Sequence, residues 1–260
     1  SSANTANLDA AGVFSTSVDA HNTITVTADG DVDNTDLNSA MASIVLNAGG
    51  NVIGTDSTAT TTIDYMVNGD VLNGSTSAGD DIDLMVDGAI TNLLATTDGG
   101  DTITVAGAAN AAALMVDGGV FTADTIAITA SNGVGSENVV SLAGAESITI
   151  ANTVLGGVNV VSTNNNAVTT AVTSAGAGDI TFDENGTGVL TVATMTAETG
   201  DIVVTADADV TTQNVATTVD GDITIAVNDG NLLVSGTGIN ATGADAGVDL
   251  SVTGEEEDVT

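Results

Sequence analysis

Neither lysine nor arginine occurs in these 260 residues, against 35 Asp and Glu, so the formal charge of -35 has no side-chain cation to offset it. Average usage is about a tenth Lys plus Arg, so every carboxylate here must find its counter-charge outside the chain, in dissolved cations, bound metal or a cationic partner. The same absence excludes binding to DNA, RNA or an anionic membrane, whose phosphates require basic side chains. Cysteine is missing, which removes disulfides and thiolate chemistry. So are proline and tryptophan, and the aromatics come down to Tyr65, Phe14, Phe121 and Phe182. Without large side chains a core must be narrow. No apolar run approaches the roughly 18 residues of a membrane-spanning helix, and no basic stretch precedes an apolar one at the start.

What is present is aliphatic and repetitive. The hydrophobic fraction is 42% and the mean hydropathy +0.32, outside the low-hydrophobicity signature of disorder. One phrase recurs: a turn with Gly or Asp, then Ile-x-Val/Ile/Leu/Phe, then a polar or glycine turn. It reads NTITVTADG from Asn22, DDIDLMVDG from Asp80, DTITVAG from Asp101 and GDITIAVNDG from Gly221. The anchors are Ile24, Ile44, Ile63, Ile82, Ile103, Ile126, Ile148, Ile180, Ile202 and Ile223, with Val248 as a last member; most steps are 19 to 23 residues. The longer step between Ile148 and Ile180 reads as an insertion or irregular coil around Asn164-Asn165-Asn166. A period in this range marks a solenoid or array.

Within each unit the apolar residues alternate, as in Ile223-Thr224-Ile225-Ala226-Val227, and further short apolar phrases follow before the next anchor. Two or three strands per period of about 20 residues, with no helical pattern, predict an all-β parallel β-helix (β-solenoid) of about eleven coils, near 50 Å long at the roughly 4.8 Å strand spacing. The lack of proline agrees, because an interior coil uses its backbone donors on both neighbours. The alternative is a set of tandem β-sandwich domains, which would carry longer strands, more aromatics and a repeat nearer about 90 to 100 residues. The expected organisation is an N-terminal strand or assembly segment at 1–21, solenoid repeats at 22–253 and an acidic tail or linker at 254–260.

Acids stand one or two positions before many anchors: Asp81, Asp101, Asp124, Glu146, Asp179, Asp201 and Asp222. Stacked coils would line them up, either as turn residues accepting backbone hydrogen bonds or as oxygen ligands for Ca2+. The densest cluster is Asp29-Gly30-Asp31-Val32-Asp33-Asn34-Thr35-Asp36, which departs from an EF-hand loop at Asn34, where Gly is required, and at Ala40, where Glu belongs. Asp29, Asp31, Asp33 and Asp36, followed by Asp81 and Asp83, are the candidate calcium ligands. His21 has no second His or Cys to complete a transition-metal set and reads as a surface turn residue.

LAGAESITIANT from Leu142 and the GDITF, GDIVV and GDITI strands at Gly178, Gly200 and Gly221 resemble the strand repeats of bacterial surface-layer proteins and of filamentous-haemagglutinin-like adhesins. The resemblance implies a secreted β-rich rod or lattice at the cell surface, with Ca2+ between subunits; the loss of all Lys and Arg departs from any anchoring through basic residues. The expected function is therefore a non-enzymatic, extracellular structural protein that self-assembles with divalent cations into a surface layer, sheath or filament. Its expected partners are copies of itself, divalent cations and cell-surface polysaccharide. The alternative is the stalk or receptor-binding region of an adhesin or phage fibre. A β-helix glycosidase comes last, because no acid pair stands out from the general excess.

Overall fold

The computed structural model describes residues 5–107 and 114–253. Its elements are all strands, and they pair in parallel, coil upon coil, as a β-solenoid of about eleven turns. Parallel pairing throughout rules out the tandem sandwiches, whose hairpins and Greek keys are antiparallel. The acidic tail expected at 254–260 lies outside the described residues. The chain divides into two compact units, 1–130 and 131–260.

In the first unit the coils from Ile24 to Thr122 each have three short strands. The anchor strands Ala6–Ala10, Ile24–Ala28, Ile44–Ala48, Ile63–Val67, Ile82–Val86, Thr102–Ala106 and Thr125–Ala130 stack into one face. Very short strands such as Val52–Ile53 and Val71–Leu72 form a second face, and Val18–Ala20, Asp36–Ser39, Asp56–Ala59, Ser75–Ala78, Leu94–Thr97 and Val120–Thr122 form a third. Ile24, Ile44, Ile63, Ile82, Ile103 and Ile126 occupy one inward column at zero exposure. Burying a side chain of that size contributes about 1.5–3 kcal/mol.

The core is narrow enough for opposite faces to touch. Tyr65, inward on the anchor face, reaches Ser57, inward on the third face, with a hydroxyl–hydroxyl hydrogen bond of 2.6 Å. A small residue lies where the large ring arrives. The corner between the second and third faces needs left-handed backbone, and Asn34, Gly54, Asn73 and Asn92 supply it at φ of 45 to 53°. Asparagine and glycine are the residues that tolerate this conformation. This is why Asn34 interrupts the acidic run that otherwise resembles a calcium loop.

The second unit has two faces. Short strands Val158–Thr163, Ile180–Glu184, Ile202–Ala206, Ile223–Val227 and Val248–Val252 make one. Strands of nine to eleven residues, Val168–Ala177, Leu190–Thr199, Val210–Asp220 and Leu232–Asn240, make the other together with Ser147–Asn152. Register shifts break these long ladders, as between Thr170 and Ala171; an extra residue at such a bulge bends a strand. Here the insertion or irregular coil expected between Ile148 and Ile180 is corrected. Ile180, Ile202, Ile223 and Val248 stack on one face, continuing from Val158, whereas Ile148 lies on the other and stacks on Thr170. The long step between Ile148 and Ile180 is a change of face in the repeated phrase. The Asn164–Asn166 turn between them belongs to a regular coil.

Candidate functional site

Carboxylates first do fold work. In a parallel solenoid every turn sits directly above its predecessor, so a side-chain oxygen at a turn meets the backbone N–H of the next coil. Asp31 accepts from the Asn51 amide at 2.7 Å, the Asn51 side-chain oxygen from the Asp70 amide at 2.8 Å, and Asp70 from the Ala89 amide at 2.8 Å. In the second unit Asp179 accepts from the Asp201 amide (2.9 Å), Asp201 from that of Asp222 (2.8 Å), and Asp222 from that of Gly247 (2.7 Å). Each bond satisfies a donor that the corner takes out of the strand ladder. The turn-residue reading of the acids before the anchors thus holds at Asp179, Asp201 and Asp222, and at Asp81, which accepts from the Thr102 amide at 2.8 Å. Inside the second unit, fully buried Glu184 plays the same part, taking the Asn164 and Gly186 amides at 2.8 and 2.9 Å.

The calcium candidates are spread around the coil. Asp29 is exposed in the turn after Ile24–Ala28, Asp31 is occupied by the Asn51 amide, and Asp33 accepts from the Asn34 side chain at 2.6 Å. Asp36 opens a strand on another face, in register with Asp56. Asp81 sits at a turn, and Asp83 points outward from the middle of Ile82–Val86. Among the described residues no group of three or more His, Asp or Glu side chains is arranged to hold a metal ion. Acids do crowd one wall of the second unit, where Asp201, Asp220, Asp222 and Asp245 border an open concavity of about 340 Å3. In the first unit the Asp101 carboxyl is pushed above its ordinary range, by desolvation first and then by Asp80, Asp81, Asp98 and Asp124.

A different constellation lies on the outward side of the anchor face. Two consecutive coils carry the same five-residue pattern, Ile63-Asp64-Tyr65-Met66-Val67 and Ile82-Asp83-Leu84-Met85-Val86. Parallel register sets Asp64 beside Asp83 and Met66 beside Met85. Alternation sends Ile, Tyr or Leu, and Val inward, so the two acids and two thioethers all project outward. Both methionines are open to solvent, at 53% and 43% exposure. With Val45, Thr104 and Ala106 they line a concavity of about 570 Å3. The half-buried Asp64 carboxyl is raised above its ordinary range by desolvation and, secondarily, by the charge of Asp83. Among the described residues no backbone amide donates to either acid as the amides do to the ladder aspartates. Asp83 stood among the sequence candidates, but Asp64, Met66 and Met85 were missed; the signal that finds them is the repeated I-D-x-M-V pattern at a spacing of one coil.

Comparisons with protein families, curated proteins and solved structures find no match for this chain.

Proposed function

We propose that the chain is an extracellular structural protein, a subunit or repeat region of a surface layer, sheath or filament whose acidic coils are drawn together by divalent cations such as Ca2+. The observation that carries this reading is the repetition of one coil chemistry through both units. Inward positions are mostly aliphatic, corners are mostly Asn, Gly and Asp, and outward positions are mostly polar or small, in turn after turn, with Met66 and Met85 among the exceptions. Such a chain devotes its described length to stacked coils with a carboxylate coat. Like-charged scaffolds of this kind repel one another unless multivalent cations bridge them.

The test is assembly of the full chain, followed by light scattering and negative-stain electron microscopy, in 10 mM CaCl2 and in NaCl of equal ionic strength with EDTA. Ordered lattices or filaments in Ca2+ that EDTA disperses are the expected result. Since simple screening depends on ionic strength and not on ion identity, equal assembly in both buffers overturns the cation-bridging part. A monodisperse monomer in both, at high protein concentration, overturns the structural reading.

A further inference from the structure

The outward face of Ile63–Val67 and Ile82–Val86 joins two features that the scaffold does not use: an in-register pair of carboxylates without amide partners and an in-register pair of exposed thioethers. Large apolar side chains are costly to leave in water, and methionine adapts its shape to whatever covers it. We propose that this face is a docking site for an extended basic segment of another protein, with Lys or Arg stems lying along Met66 and Met85 and their charged heads between Asp64 and Asp83.

Three observations select that occupant. The Asp row and the Met row are two residues apart along each strand, about 6.6 Å, a distance over which a Lys or Arg side chain lays its methylenes while its charged end stays at the rim. A second copy of this chain, or any other segment of its 260 residues, brings no Lys or Arg to the carboxylates and only adds acids. A hard cation such as Ca2+ seeks six to eight oxygens, whereas this face offers two carboxylates flanked by soft thioethers. Charge, reach and apolar body are matched together only by a basic side chain. The inference stands apart from the structural reading above, since it concerns one pair of coils in the first unit and not assembly of the whole chain.

The test uses the full chain and a fluorescent octapeptide alternating Lys and Val, at about 0.15 M salt so that diffuse attraction is screened beyond roughly 8 Å. Controls are the octapeptide alternating Glu and Val and the one alternating Lys and Gly. The Lys-Val peptide is expected to bind, the Glu-Val peptide not to, and the Lys-Gly peptide to bind several-fold more weakly. Replacing both acids, D64N/D83N, is expected to weaken Lys-Val binding about tenfold, the sum of two partly exposed ion pairs. M66S/M85S, with the acids intact, is expected to weaken it several-fold. D229N/D249N, which removes two exposed acids in the second unit, should leave it within about twofold. As a reading independent of any variant, the methyl signals of Met66 and Met85 should shift in a carbon–proton spectrum as peptide is added, while that of fully buried Met195 stays in place. Equal loss in all three variants, or no shift at Met66 and Met85, means diffuse attraction to a polyanion and overturns the site. The same methyl shifts produced by CaCl2 alone would assign the face to a metal and overturn the peptide.

Discussion

Pairs of isoleucine deletions give the sharpest test of coil register, because the spacing of the phrase and the three-dimensional stacking disagree about whether Ile148 and Ile180 are neighbours. Along the sequence Ile148, Ile180 and Ile202 are consecutive anchors. In the fold Ile180 lies directly beside Ile202, while Ile148 stacks on Thr170 on the other face. All three are at most 1% exposed, so each Ile→Ala change should cost about 2–5 kcal/mol, a transfer loss plus the cavity that a stacked column cannot collapse. I180A/I202A should cost less than the sum of its singles by about 1 kcal/mol, since the mutual contact of the two side chains is lost in either single and is counted twice in the sum. I148A/I180A should show weaker coupling than that pair, because the two side chains come from different faces and are not in register. The chain has no Trp, so the assay is urea denaturation followed by far-UV circular dichroism at fixed ionic strength, with the slope checked for constancy across variants. Coupling in the Ile148–Ile180 pair as strong as in the Ile180–Ile202 pair would refute the change of face.

The buried hydroxyl pair gives a second test. Y65F should cost about 1–3 kcal/mol by stranding the Ser57 hydroxyl, and S57A/Y65F should regain a good part of it; a double variant worse than the sum of its singles would contradict the pairing. Asp64 gives a pH dependence whose sign follows from its environment. Desolvation and Asp83 hold its folded pKa above the unfolded value, so its ionised form is a liability at pH 7 that fades as the pH falls through the folded pKa and is gone below the ordinary value of 3.8. D64N should therefore melt higher than the parent at pH 7, with the difference shrinking toward pH 4. A variant less stable at pH 7, or a gap that widens on acidification, would reverse the assignment.

Much of the architecture was legible in the sequence. A period near 20 residues, alternation inside each phrase and the lack of proline lead to stacked parallel coils, because a strand buried on one side alternates and a coil paired on both sides has no room for an imino acid. Inward burial of Ile24, Ile82, Ile103, Ile126, Ile180, Ile202 and Ile223 follows from the same pattern. The face on which each anchor lands was not legible. Periodicity reports which side chains point inward but not which wall they come from, so a phrase moved half a coil onward looks like an insertion until the register of Ile180 on Val158 is seen. The acids show the same division. Composition alone established that they lack internal counter-charges, but adjacency in sequence does not say where the acids from Asp29 to Asp36 fall on the coil: a left-handed corner at Asn34 separates them, and Asp36 lies in register with Asp56. What brought Asp64 to Asp83 and Met66 to Met85 was the stacking of one coil on the next. In a solenoid the residue one period away is the close neighbour, and only the tertiary register decides how long that period is at each turn.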